Sequence, residues 1–244
     1  MINKKNILLV SIVLFLFSHS LNSQTKIGLQ IGPNFANAST SAKSFAIRGK
    51  TNFFGGILAE FKISDMFYIQ PEINVIEKGV EFQIGIAGVI GPPFYSPTGL
   101  SLGYIDHLFN YCEIPINFLV KFDSKNFTPF VFTGPSFNFL LRAKETYRTG
   151  YGGSVFDGSD RVEIFESAIT FGGGVEFPLS NKIDLVIMAK YSFGLTNIYG
   201  DLIYAKTDGA QYPTSPTLTT YIDEKLEKFN TRGVALTAGL KIAL

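Results

Sequence analysis

The sequence has no tryptophan, one cysteine and few charged residues, and each shortage excludes a class of protein. Charged side chains make up 17% of the 244 residues, against about 25% in an average soluble domain. A single cysteine, Cys112, excludes an internal disulfide scaffold. Basic and acidic residues nearly balance, at 21 and 20, so no strong charge draws the chain to nucleic acid.

Long unbroken apolar runs are also missing, except near the N-terminus. Lys4 and Lys5 precede an apolar run over Ile7–Phe17, which is about half of the roughly 20 residues that a transmembrane helix needs. The small residue Ser23 then stands before Gln24. We predict a cleaved signal peptide over residues 1–23 and one exported domain over 24–244. An uncleaved anchor is the alternative.

The exported part alternates between apolar and small or polar residues with the period of β-strands rather than helices. Glycine and phenylalanine are abundant, at 24 residues each. Eight candidate strands follow: Thr25–Asn34, Asn52–Ile63, Phe67–Lys78, Tyr111–Phe122, Phe127–Leu141, Ile164–Phe177, Ile183–Ile198 and Arg232–Leu244.

The connections between these strands alternate strictly between short and long. Short turns follow the second, fourth and sixth strands, and the others span Phe35–Thr51, Gly79–Asn110, Arg142–Glu163 and Tyr199–Thr231. This alternation is typical of an up-and-down barrel in an outer membrane, with short periplasmic turns and long external loops. We predict an all-β, eight-stranded antiparallel transmembrane barrel whose N-terminus is periplasmic.

Which face points outward is decided by the residue types. The small face carries glycine, alanine, serine, threonine and isolated charges, which suits a crowded barrel interior. Aromatic residues flank the short turns, as in an interfacial girdle: Phe61, Phe67, Phe122, Phe127 and Phe177. A soluble lipocalin-like barrel, with its bulky face inward around a ligand, is the alternative.

Charged residues on the inward face predict a polar network in the lumen. Its members are Lys26, Glu60, Lys62, Glu72, Lys78, Glu113, Lys121, Glu166, Glu176, Asp184, Lys190 and Lys241. We expect Glu176 to lie opposite Asp184, neutralised by Lys241 and by Lys121 or Lys62, and Lys78 to lie near Glu113. The favoured interpretation is a plug of ion pairs, because an unpaired buried carboxylate is costly. The alternative is a narrow ion or proton path, whose conductance would be lost on Glu72→Gln or Glu113→Gln.

Other chemistry is weakly supported. His107 stands beside Asp106 in the second long connection, near Ser96 and Ser101, but neighbours in an extended segment point to opposite sides. Zinc spacing, a phosphate-binding loop and a glycine-framed nucleophilic serine are all missing. We therefore expect no catalysis, cofactor or metal. A rim enzyme acting on lipid through His107 is the alternative.

Glycines, prolines and one loop carry further expectations. We expect Gly172, Gly173 and Gly174 to relieve crowding in the lumen or permit a bend. Prolines that remove ladder donors predict bulges or irregularities at Pro71, Pro115, Pro129 and Pro135. The second long connection is apolar, which predicts either a hairpin above the membrane or a patch for a partner.

Several segments, in order and spacing, resemble the PorT-type outer-membrane β-barrel domain of Bacteroidota. They are IGLQIGPNF, FYIQPEINVIEKG, YCEIPINFLVKF, FTPFVFTGPSFNFLL and FGGGVEFPLSNKIDLVIMAKYSFGLTNI. The resemblance implies an eight-stranded outer-membrane barrel, and in some members an accessory role in secretion and gliding. We expect a structural or binding role in the cell envelope, with outer-membrane lipid and an envelope protein as partners of the barrel and its loops.

Overall fold

The computed structural model describes residues 25–40, 46–86, 101–122, 124–149, 152–198 and 229–244. The predicted signal peptide lies outside the described residues. Nine strands and one short 3-10 helix, η1 (Ser159–Arg161), are found there. The strands are β1 (Lys26–Thr40), β2 (Ala46–Lys62), β3 (Phe67–Ile86), β4 (Ser101–Lys121), β5 (Thr128–Thr149), β6 (Gly152–Asp157), β7 (Phe165–Pro178), β8 (Ile183–Gly194) and β9 (Phe229–Ala243).

Eight of these strands close into an antiparallel barrel, which confirms the predicted fold. Each strand pairs with its sequence neighbours, β9 pairs with β1, and the β4–β5 pairing completes the ring. The ninth strand, β6, is not part of the closed barrel. It pairs with the far end of β5, above the point where β7 takes over as the partner of β5.

The turn end of the barrel matches the sequence prediction, whereas the loop end rises higher than predicted. Near the turn end, the Ile63 amide donates to the Phe67 carbonyl at 2.9 Å and the Leu179 amide to the Ile183 carbonyl at 2.8 Å. At the loop end, β3 and β4 stay paired up to Ile86 and Ser101. The apolar second connection therefore begins as a hairpin, and its tip lies outside the described residues.

We call this raised part the loop-end wall. It consists of residues 46–50 of β2, 79–86 of β3, 101–108 of β4, 143–149 of β5 and all of β6. Among the described residues, the wall rises on one side of the barrel, because β8 ends at Gly194 and β7 begins at Phe165. Segments predicted as loops are therefore strands here, since cross-strand hydrogen bonds continue beyond the apolar alternation that marks the membrane.

Below the loop-end wall, the outward side chains are mostly apolar and most charged side chains point inward, so the soluble, bulky-inside alternative is wrong. Many outward side chains are exposed, including Leu29, Ile57, Ile73, Phe118, Val131, Phe171, Ile187 and Leu240. Burial alternates along β8 and β9 as a two-faced strand requires. No helix among the described residues is long and apolar enough to cross a membrane.

The prolines interrupt the ladders without shifting their register. Pairing between β3 and β4 pauses after Pro71 and resumes at Asn74 in the same register, and β4 and β5 pause similarly after Pro115. The register shifts instead lie near the wall, between Gly49 and Phe54 and between Asn110 and Tyr111. The expected irregularities beside Pro71 and Pro115 are ladder interruptions and not bulges, because a missing donor removes a hydrogen bond but adds no residue.

Crowding in the lumen explains two of the three consecutive glycines in β7. A Cβ atom on Gly172 would lie 2.7 Å from Cζ of Phe132, and one on Gly174 would lie 2.6 Å from Cζ of Phe130. Both phenylalanines are buried. The glycines therefore leave room for aromatic rings inside an eight-stranded barrel, whose interior side chains nearly fill.

Candidate functional site

The turn end of the lumen holds a four-residue ion cluster. Lys121 Nζ lies 2.5 Å from Glu60 Oε1 and 2.7 Å from Glu176 Oε1. Lys241 Nζ lies 2.5 Å from Glu60 Oε2 and 2.7 Å from Glu176 Oε1. Each base thus contacts both acids, and all four side chains are buried. Such mutual pairing offsets the cost of burying the charges.

The pairing around Asp184 differs from the sequence prediction. Glu176 lies opposite Val186, and Asp184 lies between Pro178 and Lys241. The partner of Asp184 is Lys26, whose Nζ lies 2.7 Å from Asp184 Oδ2 at the partly exposed mouth of the lumen. Lys62 Nζ contacts the exposed Asp65 at 3.2 Å. A two-residue offset in the predicted register produced the error.

The middle of the lumen holds two carboxylates and one ammonium group. Lys190 Nζ lies 2.8 Å from Glu113 Oε2 and 3.4 Å from Glu72 Oε2. Four side-chain amides also donate to the Glu72 carboxylate at 2.7 to 2.9 Å: Gln30, Gln70, Asn74 and Asn117. The buried Glu113 Oε1 atom has no hydrogen-bond partner among the described residues.

A third layer lies nearer the loop end. Lys78 Nζ lies 2.6 Å from Glu166 Oε2, which also accepts a hydrogen bond from Asn138 at 2.9 Å. The Thr231 hydroxyl donates to the other oxygen of Glu166. The expected neighbourhood of Lys78 and Glu113 is wrong, because Lys78 lies opposite Phe109 and Glu113 opposite Asn74.

Each of the four buried lysines also lies over an aromatic ring. The distance from Nζ to the ring centroid is 5.1 Å for Lys78 and Tyr111, 4.5 Å for Lys121 and Tyr68, 4.4 Å for Lys190 and Phe54, and 5.4 Å for Lys241 and Phe130. Cation–π attraction strengthens when the ammonium group is desolvated. The rings therefore stabilise the lysines alongside the carboxylates.

Sequence reasoning missed the uncharged half of this network. The buried side chains that it left out include Gln30, Asn34, Gln70, Asn74, Asn117, Ser136, Asn138, Thr170 and Thr231. Their signal was present, since Gln70 and Asn74 each stand two residues from Glu72 and so share its face. The prediction counted charges alone and therefore overlooked the amides that satisfy them.

An apolar cluster covers the loop end of the lumen. It includes Phe82, Ile105, Phe109, Val162, Ile198 and Phe229, all buried. The Phe82 and Phe229 ring centroids are 5.9 Å apart, and those of Phe109 and Phe229 are 6.4 Å apart. We call these six residues the apolar cap. The ion-pair layers therefore meet water more readily at the turn end, where Lys26 and Asp184 are partly exposed.

The sequence placed His107 in a long loop, but the structure places it in this region. It lies in β4, is buried, and packs edge-on against Phe82 at 5.0 Å. Its Nδ1 atom lies 3.8 Å from Glu145 Oε1. Of the two candidate serines, Ser101 begins β4 and Ser96 lies outside the described residues. The His107 ring therefore packs among buried side chains and not in an external loop.

The five aromatic residues predicted as a girdle lie at the turn end. Phe67, Phe122, Phe127 and Phe177 are exposed, and Phe61 is half-buried. A second ring near the loop end was not predicted: Phe35, Phe53, Phe139, Phe165 and Phe193, all exposed. Two aromatic rings that flank an apolar band are typical of membrane barrels. The described outward positions between the two rings carry no charged side chain.

A second group of charges lies on the outer face of the loop-end wall. Asp106 Oδ1 accepts a hydrogen bond from Lys50 Nζ at 2.6 Å, and Arg148 Nη2 contacts Asp106 Oδ2. Arg48 Nη1 lies 3.9 Å from Glu81 Oε1. Arg48, Glu81 and Asp106 stand opposite one another across β2, β3 and β4. We call these five residues the outer-face cluster.

The lumen and the outer-face cluster have different chemical capacities. Buried, mutually paired charges stabilise a filled interior, whereas exposed bases are free to contact an external anion. The described residues contain no group of three or more histidine, cysteine or acidic side chains that could hold a metal ion.

Comparisons with solved structures return membrane barrels at low sequence identity. Neisserial surface protein A is 13% identical, with 90% of this chain and 97% of that chain covered and a TM-score of 0.43. OprG from Pseudomonas aeruginosa is 8% identical, with 91% and 96% covered and a TM-score of 0.44. Ail of Yersinia pestis is 10% identical, with 90% and 99% covered and a TM-score of 0.38.

The sequence matches no curated protein. It does match one family model, described as an outer membrane protein beta-barrel domain, over residues 17–200. That range contains seven of the eight barrel strands complete and also β6. Together with the closed barrel, its uncharged outward band and its two aromatic rings, the match places the protein in the outer membrane. The chain belongs to the outer membrane protein beta-barrel domain family.

Proposed function

We propose that this barrel serves the cell envelope through its outer surface, in a structural or binding role and without catalysis. The observation that carries the proposal is the filled lumen. Three layers of ion pairs and the apolar cap occupy the interior from the turn end to the loop end. The surface left to contact other molecules is the outer one.

The loop-end wall supplies that surface. It extends β3, β4 and β5 to between 20 and 22 residues, whereas about 9–11 tilted residues cross the hydrocarbon. The additional residues of these strands therefore stand outside the membrane. Val155 and Phe156 of β6 are exposed there, and exposed apolar side chains beyond the lipid band suit contact with a partner.

The orientation of the barrel is part of the proposal. Short turns face the periplasm and long loops face outward in barrels of this kind. The three short turns share one end with the first residue of β1, Lys26, which supports a periplasmic N-terminus. The loop-end wall, at the opposite end, is then external. An exported barrel of this orientation also requires the predicted signal peptide over residues 1–23.

Cysteine labelling tests this orientation. In a Cys112→Ser background, we expect Asp160→Cys, which is exposed in η1, to react with a membrane-impermeant maleimide on intact cells. Lys125→Cys, exposed in a short turn, is the matched control and reacts only after the outer membrane is permeabilised. The reverse pattern would overturn the orientation.

Complementation tests the role of the surface. In a strain that lacks the protein, a wall variant, Val155→Asp with Phe156→Asp, should fail to restore resistance to detergent. Glu113→Gln, which changes the lumen, should restore it. Both variants are first checked for the heat-dependent gel mobility of a folded barrel. Failure of Glu113→Gln and success of the wall variant would place the function in the lumen.

A more specific role follows from the resemblance to PorT-type barrels, in which some members assist secretion and gliding. The segments that carry this resemblance include parts of β3, β4 and β7. Side chains of these strands face the membrane band and the lumen alternately. Extraction in mild detergent followed by identification of crosslinked partners tests it. Crosslinks from Phe156 to envelope secretion components would support the accessory role, and a barrel without crosslinks would contradict it.

A further inference from the structure

The outer-face cluster exposes its bases and covers its acids. The side chains of Arg48 and Arg148 are 63% and 55% exposed, whereas those of Glu81 and Asp106 are 20% and 7% exposed. Lys50 lies between these extremes, at 29%. The surface presented to the surroundings is therefore positive, although acids and bases nearly balance within the cluster.

The covered acids hold the arginines in place. Asp106 contacts Lys50 and Arg148, which lie on two different strands, and Glu81 lies beside Arg48. A guanidinium group that contacts a carboxylate with one edge keeps its remaining N–H donors for a second anion. Holding the side chain beforehand also reduces the entropy lost when that anion binds.

The cluster stands above the lipid-facing band on the same outer face. Along β4, Asp106 follows Asn110 and Cys112 upward from the band, on alternate residues. Along β5, exposed Arg142 and half-buried Lys144 lie between Leu141 and Arg148, and they add two more bases. Bases therefore continue from the edge of the band up the wall, with one exposed acid, Asp157, opposite Lys144.

We infer that the outer-face cluster binds the phosphate groups of a phosphorylated glycolipid in the outer leaflet. Arginine pairs with phosphate through parallel hydrogen bonds, and clustered bases beside a membrane band recognise anionic lipid headgroups. Continuity with the lipid-facing band favours a lipid over a soluble anion, because the acyl chains then lie against the band while the phosphates reach the arginines. This inference rests on the proposed external position of the wall.

Binding of diphosphorylated lipid A to the detergent-purified full chain tests the inference. Native mass spectrometry gives the apparent Kd for the wild type, Arg48→Gln, Arg148→Gln and the double variant. We expect a loss of about fivefold for each arginine and about 25-fold for both. Arg148→Lys keeps the charge but not the planar guanidinium group, so it should lose less lipid A affinity than Arg148→Gln.

The controls separate binding from folding. Lys125→Gln, which removes a base from a short turn, should bind as the wild type does, and every variant should keep its heat-dependent gel mobility. Phosphate-free lipid A should bind each protein equally weakly. The cysteine labelling described above reports on orientation by itself, so a periplasmic wall would overturn the proposed function independently of lipid affinity.

Three outcomes would overturn the inference. Equal lipid A affinity of the double variant and the wild type would show that the arginines do not contact the lipid. Complete displacement by inorganic phosphate would assign the site to free phosphate. Tight binding of heparin, lost in the double variant, with no binding of lipid A would assign it to a soluble sulfated polysaccharide.

Discussion

The lumen and the loop-end wall both contain clustered ion pairs, yet the two clusters have opposite exposure. In the lumen, Lys190 and Lys241 are each 1% exposed and contact carboxylates that are equally buried. On the wall, Arg48 and Arg148 remain more than half exposed. Burial decides what a charge does: in the lumen it fixes the interior, and on the wall it is available to a ligand.

The largest effect is expected from removing one base in the lumen. Lys190→Met would leave Glu72 and Glu113 buried without a cation, and breaking a buried ion pair costs about 3–5 kcal/mol. Urea unfolding followed by gel mobility measures this loss in folding stability. Lys125→Met, in an exposed turn, should stay within about 0.5 kcal/mol of the wild type. Equal stability of the two variants would mean that the lumen charges are not coupled.

The next largest effect concerns the apolar cap. Phe109 is 1% exposed and contacts Phe229, so Phe109→Ala should destabilise the barrel by about 3–5 kcal/mol. Phe193→Ala, on the lipid-facing surface, is the comparison and should cost less, because lipid refills the space. The same urea titration distinguishes them, and a larger loss for Phe193→Ala would show that the cap is loosely packed.

A small effect on folding stability is expected from a substitution in the loop-end wall. Arg48→Gln breaks a contact of 3.9 Å between partly exposed groups, and such surface pairs contribute about 0–1 kcal/mol. Its urea midpoint should therefore differ little from that of the wild type. A loss as large as that of Lys190→Met would show that the outer-face cluster stabilises the fold, as the lumen does.

The smallest effect concerns the exposed carboxyl group of Asp157, the last residue of β6. Hydrogen bonds from the Ser159 hydroxyl and amide hold the pKa of Asp157 below its usual value. Because the folded pKa is depressed, this stabilisation is present above the unfolded pKa and is lost as pH falls through the folded value. Ser159→Ala should raise the pKa of Asp157, measured by carboxyl NMR titration. An unchanged pKa would mean that the amide alone suffices.

The sequence was sufficient for the barrel because membrane strands alternate strictly. Outward residues such as Leu236 and Leu240 and inward residues such as Lys241 follow from period two alone. The loop-end wall escaped prediction because its strands lose the simple alternation. Burial runs through Ile105, Asp106 and His107 without a break, since the cap covers one face and the arginines cover the other.

The lumen partners could be predicted only in part. Alternate side chains of a strand point into the barrel, so Glu60, Glu72 and Lys121 could be assigned to its interior from the sequence. Which base meets which acid depends on strand stagger, and a shift of two residues moved Asp184 away from Glu176. Contacts across the lumen, such as Lys78 with Glu166, join strands that are not neighbours. No pairing rule along the sequence specifies them.

The central claim is that the lumen is filled and the protein works through its outer surface. Planar-bilayer recording of the purified, heat-modifiable wild type tests it most directly. Ion pairs in three layers, closed by Phe82, Phe109 and Phe229 at the loop end, predict no steady conductance. Stable channel openings that disappear on Glu72→Gln or Glu113→Gln would contradict the claim and support an ion path through the barrel.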